Sequence, residues 1–199
     1  MKKFLMIGRN THIAKLLVAG ACAVCLSALI SGCHPGENSE RIAKKENDKN
    51  FTNRSSDKEA DFVVETITGN YANTKLAQLA LGRSKNESVR EVATLIEKDH
   101  DKLIKELKGF ANMRGITIPL EENKNARKKL DDLSSTDDKS FDEKWCRELT
   151  SRHEKSIQAL EDMWEHTGDD ELKKWINSAL PGLRGNLVKL NACHEKLTT

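Results

Sequence analysis

From Ala60 onward, apolar residues recur every three or four positions and no run alternates as a strand would. That periodicity restricts the chain to helices that bury one stripe each. Four segments carry it. The first covers about 57–81, with Phe62, Val63, Ile67, Leu76, Leu79 and Ala80. The second covers about 86–113, through Val89, Ile96, Leu103, Leu107 and Phe110. The third covers about 140–167, with Phe141, Trp145, Leu149, Ile157, Leu160 and Trp164. The fourth covers about 169–197, through Leu172, Trp175, Leu183, Leu187 and Leu190, with Pro181 inside it. Ser140 with Glu143 reads as a capping box for the third segment. Gly168 ends that segment, and Asp169 caps the next. Gly115 and Pro119 stop the second.

The links between segments give topology. "GRSKN" and "TGD" are short, so the first two segments and the last two form antiparallel hairpins. About 26 residues separate the second segment from the third, long for a simple loop, and "ENKNARKKLDDL" within them reads as a short extra helix. The expected fold is all-α: a ferritin-like antiparallel four-helix bundle over 57–199, built of two helical hairpins joined by a long crossover.

The N-terminal third reads differently. Lys2, Lys3, Arg9 and Lys15 precede an uncharged apolar run from Leu16 to Cys33, the layout of an export signal and shorter than a comfortable membrane span. "LISGC" resembles the lipobox of bacterial lipoproteins. That resemblance implies cleavage after residue 32, a lipid on Cys33, and attachment to the membrane through that anchor. His34, where inner-membrane lipoproteins often carry Asp, points to the outer membrane, facing the periplasm. Residues 33–56 are polar with few apolar side chains and read as a flexible tether. Without the leader, 29 basic residues face 31 acidic ones, so no basic surplus argues for nucleic acid.

Each stripe has a polar interruption at mid-helix: Asn73, His100, His153 and Asn186. One reading is a buried polar layer whose imidazoles and amides satisfy one another and fix helix register. The other is a metal site for iron, manganese or zinc at His100 and His153. Glu97 would assist, three residues before His100 in the Glu-x-x-His spacing of carboxylate-bridged centres. That motif occurs once, whereas a two-metal centre uses it twice. Cys146 and Cys193 form a second constellation. Folding the last two segments back about Gly168 brings them near each other, and a disulfide would close a loop of 46 intervening residues. Two buried free thiols, or a zinc site that adds His194, are the alternatives. No G-x-S-x-G, phosphate loop or H-E-x-x-H motif is present.

"DFVVETITGNYANTKLAQLALGRSKNESVREVATLIEKDHDKL" resembles the opening of an exported bacterial family, domain of unknown function 4142. "ANMRGITIPL", "FDEKW", "RHEKSIQALE" and "LPGL" resemble later parts of it. The resemblance implies a ferritin-like fold without an assigned reaction. It matches Asp99-His100 to the family's Asp-His pair and His153 to its second histidine. Where the family often carries Glu and His, this chain has Asn73 and Asn186, which removes an oxygen ligand and a third imidazole. These features together lead to an expected non-enzymatic binding or structural role in the envelope, with a link to envelope stress. A ferritin-like oxidase or metal-storage protein is the alternative.

Overall fold

The computed structural model describes residues 39–198. The leader and Cys33 therefore lie outside the described residues. Six helices follow one another: α1 (Ser39–Asn50), α2 (Arg54–Arg83), α3 (Glu87–Arg114), α4 (Lys124–Ser134), α5 (Asp138–His166) and α6 (Asp170–Thr198). The described residues contain no strand. No helix among them is long and apolar enough to cross a membrane.

The helices end for identifiable reasons. Asn86 accepts from the Val89 N–H and so caps α3. At the far end Gly115 takes φ 67°, a left-handed conformation that favours glycine. The Ile116 N–H then bonds the Ala111 carbonyl, closing a Schellman turn. Asp169 accepts from the N–H groups of Glu171 and Leu172, as its position before α6 predicts. Two expected boundaries differ. Asp137, not Ser140, caps α5, because its carboxylate accepts from both the backbone N–H and the hydroxyl of Ser140. Thr167, not Gly168, makes the α5–α6 turn: its hydroxyl accepts from the Asp169 N–H and donates to Glu59 Oε1.

Contacts along the helices give the topology. Arg83, at the end of α2, reaches Asp138 at the start of α5, and Glu59 near the start of α2 meets Thr167 beyond the end of α5. Arg114, ending α3, pairs with Asp169 just before α6. Each helix is therefore antiparallel both to its hairpin partner and to the helix across the bundle. The segment from α3 to α5 must travel the bundle's length, and α4 lies within it. This is the ferritin-like up-down-down-up arrangement.

Residues 39–50 correct the expectation of a flexible tether over 33–56. They form α1, which packs on α2 with Ala43 and Asn47 buried. The Asn47 amide donates to the Thr117 carbonyl (3.0 Å) and accepts from the Thr117 N–H (2.8 Å), as a neighbouring strand would. Lys44 pairs with Glu65 at 2.5 Å, and Asn123 donates to Glu40. α1 thus straps the crossover to α2 by polar contacts, in a segment too poor in apolar residues to signal burial.

Two apolar clusters fill the interior. One contains Val63, Ile67, Leu103, Leu107, Leu160, Leu172 and Ile176. The other contains Leu76, Val89, Ile96, Phe141, Trp145, Leu149 and Leu190. Trp164, expected in a stripe, is 41% exposed with Lys173 over its ring.

Candidate functional site

The two clusters are separated by a layer of polar side chains at mid-bundle. On α2 the sequence passes from Ile67 through Asn70, Asn73 and Thr74 before apolar packing resumes at Leu76. His100 lies between Ile96 and Leu103, His153 between Leu149 and Leu160, and Asn186 between Leu183 and Leu190. His100 is 1% exposed and His153 is sealed completely.

The hydrogen bonds fix where the protons sit. The Asn70 amide donates its N–H to the Thr66 carbonyl, which turns Oδ1 towards His100. His100 Nδ1 lies 2.5 Å from that oxygen, so Nδ1 carries the proton and donates it. His153 Nδ1 lies 2.8 Å from the Leu149 carbonyl and must donate as well. Each neutral imidazole has one N–H, now committed. The two Nε2 atoms, 3.3 Å apart, therefore meet as lone pairs with no proton between them. The rings stand nearly perpendicular at 81°. Burial pushes the His100 pKa well below its ordinary value, and the charge His153 would carry pushes the same way. Burial also lowers His153, against the opposing pull of the Leu149 carbonyl and then of Asp99. Asp99 is itself held by the Asn186 amide at 3.0 Å.

The predicted layer is thus brought to one level but wired differently. His100 and His153 touch each other. Asn186 bonds Asp99 rather than a histidine. Asn73 is buried, and its Oδ1 has no hydrogen-bond partner among the described residues. The amide that reaches His100 is Asn70, outside the four predicted positions. The signal was present: Asn70 lies three after Ile67, in the step sequence that leads on to Thr74 and Ala77. Glu97 does not join. It is half-buried and accepts from Gln78 at 2.9 Å instead of meeting the dyad. No group of three His, Cys, Asp or Glu side chains among the described residues is placed to hold a metal.

Cys146 on α5 and Cys193 on α6 come together, both buried. Their sulfurs are 3.4 Å apart as two thiols, Cys146 donating to Cys193. A disulfide holds its sulfurs about 2.05 Å apart. That contact holds the Cys193 thiol below its ordinary value and pushes Cys146 above it. His194 does not complete a zinc set; its buried Nδ1 has no hydrogen-bond partner among the described residues. A surface groove of about 920 Å³ lies beside α1, α2, α4 and α5. Several of the charges along it are paired, Lys128–Asp132 and Arg152–Glu148 each within one helix and Glu65 with Lys44 of α1.

An antiparallel, ferritin-like bundle with a buried two-histidine layer defines the class. The family described as Domain of unknown function (DUF4142) matches residues 44–192, and the chain belongs to it. A solved structure of a DUF305 fragment from Deinococcus radiodurans shares the fold, with TM-score 0.61 and 17% identity. The similarity covers 69% of this chain and 95% of that one. No functionally curated protein matches.

Proposed function

We propose that the chain is a lipid-anchored protein of the bacterial envelope, attached through Cys33 and facing the periplasm from the outer membrane. In this reading its bundle is a non-enzymatic binding or structural module. One observation carries the non-enzymatic part: every nitrogen of the dyad is used or sealed inside the layer, with His100 and His153 no more than 1% exposed. A catalytic imidazole needs a substrate within hydrogen-bond reach, and none can approach here without opening the bundle. The layer instead serves register, since any axial slip of one helix would set Asn70, His100 or His153 against apolar neighbours. The leader and lipobox support the anchor.

The rival, oxidase or storage chemistry at His100 and His153, lacks carboxylate ligands at the layer, because Glu97 is engaged by Gln78 and Asp99 by Asn186. Metal analysis of protein purified without chelator separates the two readings. We expect substoichiometric metal, unchanged in a His100→Ala, His153→Ala double variant. Near-stoichiometric iron, manganese or zinc that disappears in that variant would decide for the rival. For the anchor, Cys33→Ser is expected to abolish processing and membrane fractionation, and unchanged fractionation refutes it.

A further inference from the structure

Both cysteines are buried in one cluster, but only Cys193 lines a surface groove. Cys146 has no exposed surface and packs in the cluster that holds Phe141, Trp145 and Leu149. Cys193 lies at the floor of a groove of about 440 Å³ between α3 and α6, lined by Ser88, Glu91 and Leu95 on one side and Lys189 and Lys196 on the other. It is also only five residues from Thr198, the last described residue of α6. Helix ends open more readily than helix centres, so a reagent in the groove meets Cys193 first.

We propose that Cys146 and Cys193 form a thiol–disulfide exchange site, entered through the α3–α6 groove, at which Cys193 attacks an external disulfide and Cys146 resolves the product. In the first step the Cys193 thiolate forms a bond to one sulfur of the incoming disulfide, whose other sulfur leaves as a thiolate and takes up a proton. In the second step Cys146 Sγ attacks Cys193 Sγ and breaks its bond to the remaining half of the reagent, which leaves as a thiolate and takes up the proton that Cys146 gives up. The external disulfide gains two electrons, and the chain gains the Cys146–Cys193 bond. The geometry suits this order. Cys146 waits 3.4 Å from the sulfur it must attack, with no path of its own to the groove. The shared S–H···S contact keeps the proton on Cys146 and favours the thiolate at Cys193. Lys189 and Lys196 outnumber Glu91 along the groove and favour a negatively charged disulfide reagent.

The test uses the full chain with Cys22, Cys25 and Cys33 replaced by Ser, reduced, then exposed to glutathione disulfide and followed by mass spectrometry. With the pair intact, two glutathione thiols should be released per chain and none retained. Cys146→Ala should retain one glutathione on Cys193. Cys193→Ala should leave Cys146 unmodified until urea is added, at least tenfold slower than Cys193 in the reciprocal variant. A Lys189→Glu, Lys196→Glu variant leaves the core untouched and should slow the reaction several-fold. The proposal fails if Cys146 reacts as fast alone as Cys193 does alone, if the intact pair keeps glutathione bound, or if the charge variant reacts at an unchanged rate.

Discussion

Asn70 and Asn73 lie three residues apart on α2, both buried, yet only Asn70 gives an oxygen to His100. Removing that oxygen strands a buried N–H, which costs about 1–3 kcal/mol. Asn70→Ala should therefore destabilise the protein by about that amount in urea titrations, and by more than Asn73→Ala, whose Oδ1 is already unpaired. Equal effects would mean that the Asn70–His100 bond contributes nothing. The histidines also make stability depend on pH. The unfolded chain protonates each imidazole near 6.5, while burial lowers both folded values. Below 6.5 the unfolded state binds more protons, so stability is complete above that pH and is lost as the pH falls towards the depressed folded values. Unfolding free energy should drop between pH 7 and pH 5, and the drop should shrink in the His100→Ala, His153→Ala variant. A drop that persists undiminished assigns the effect to other groups.

At the scale of elements, what the sequence made legible follows from how each helix is held. α2, α3, α5 and α6 bury apolar stripes broken only at the mid-bundle polar layer, so their three- and four-residue spacing declares them. α1 does not: Ile42 is 42% exposed, and the helix is fixed by Asn47 to a backbone segment 70 residues away. No local pattern encodes such a bond. The same holds for Arg83, whose guanidinium donates to the carbonyls of Leu133, Ser134 and Thr136 and to Asp138 while lying 4.4 Å over the Phe141 ring. It joins three helices and places positive charge at the carbonyl end of α4. The dyad's histidines were legible as gaps in apolar stripes, but their wiring depended on rotamers that spacing does not carry. Two variants test these attachments. Asn47→Ala leaves both polar groups of Thr117 without that partner and should cost about 1–3 kcal/mol, with amide exchange accelerating across α1. Arg83→Ala should cost about 1–3 kcal/mol by losing charged hydrogen bonds, with faster proteolysis around residues 134–138. Unchanged exchange or cleavage patterns would show that these contacts do not hold the strap or α4 in place.

For the whole molecule, the polar layer divides one bundle into two apolar compartments. Replacing all members of a buried polar set by apolar groups of similar size is often neutral or stabilising, whereas removing one member is costly. A triple Asn70→Leu, His100→Leu, His153→Leu variant should thus keep or exceed the wild-type melting temperature, while His153→Ala falls below it. If the layer fixes register, the triple variant should also show multiple amide resonances per residue where the wild type shows one. A single well-dispersed spectrum would refute that role. The strap has a different consequence, a mechanical one. α1 rests on α2 and on Thr117 but inserts no large apolar side chain between the bundle helices. Tension applied from the N-terminal side loads this helix in series before it reaches the four-helix core, so α1 peels away first and yields length while the core stays folded. It would act as a fuse between a pulled end and the domain it precedes.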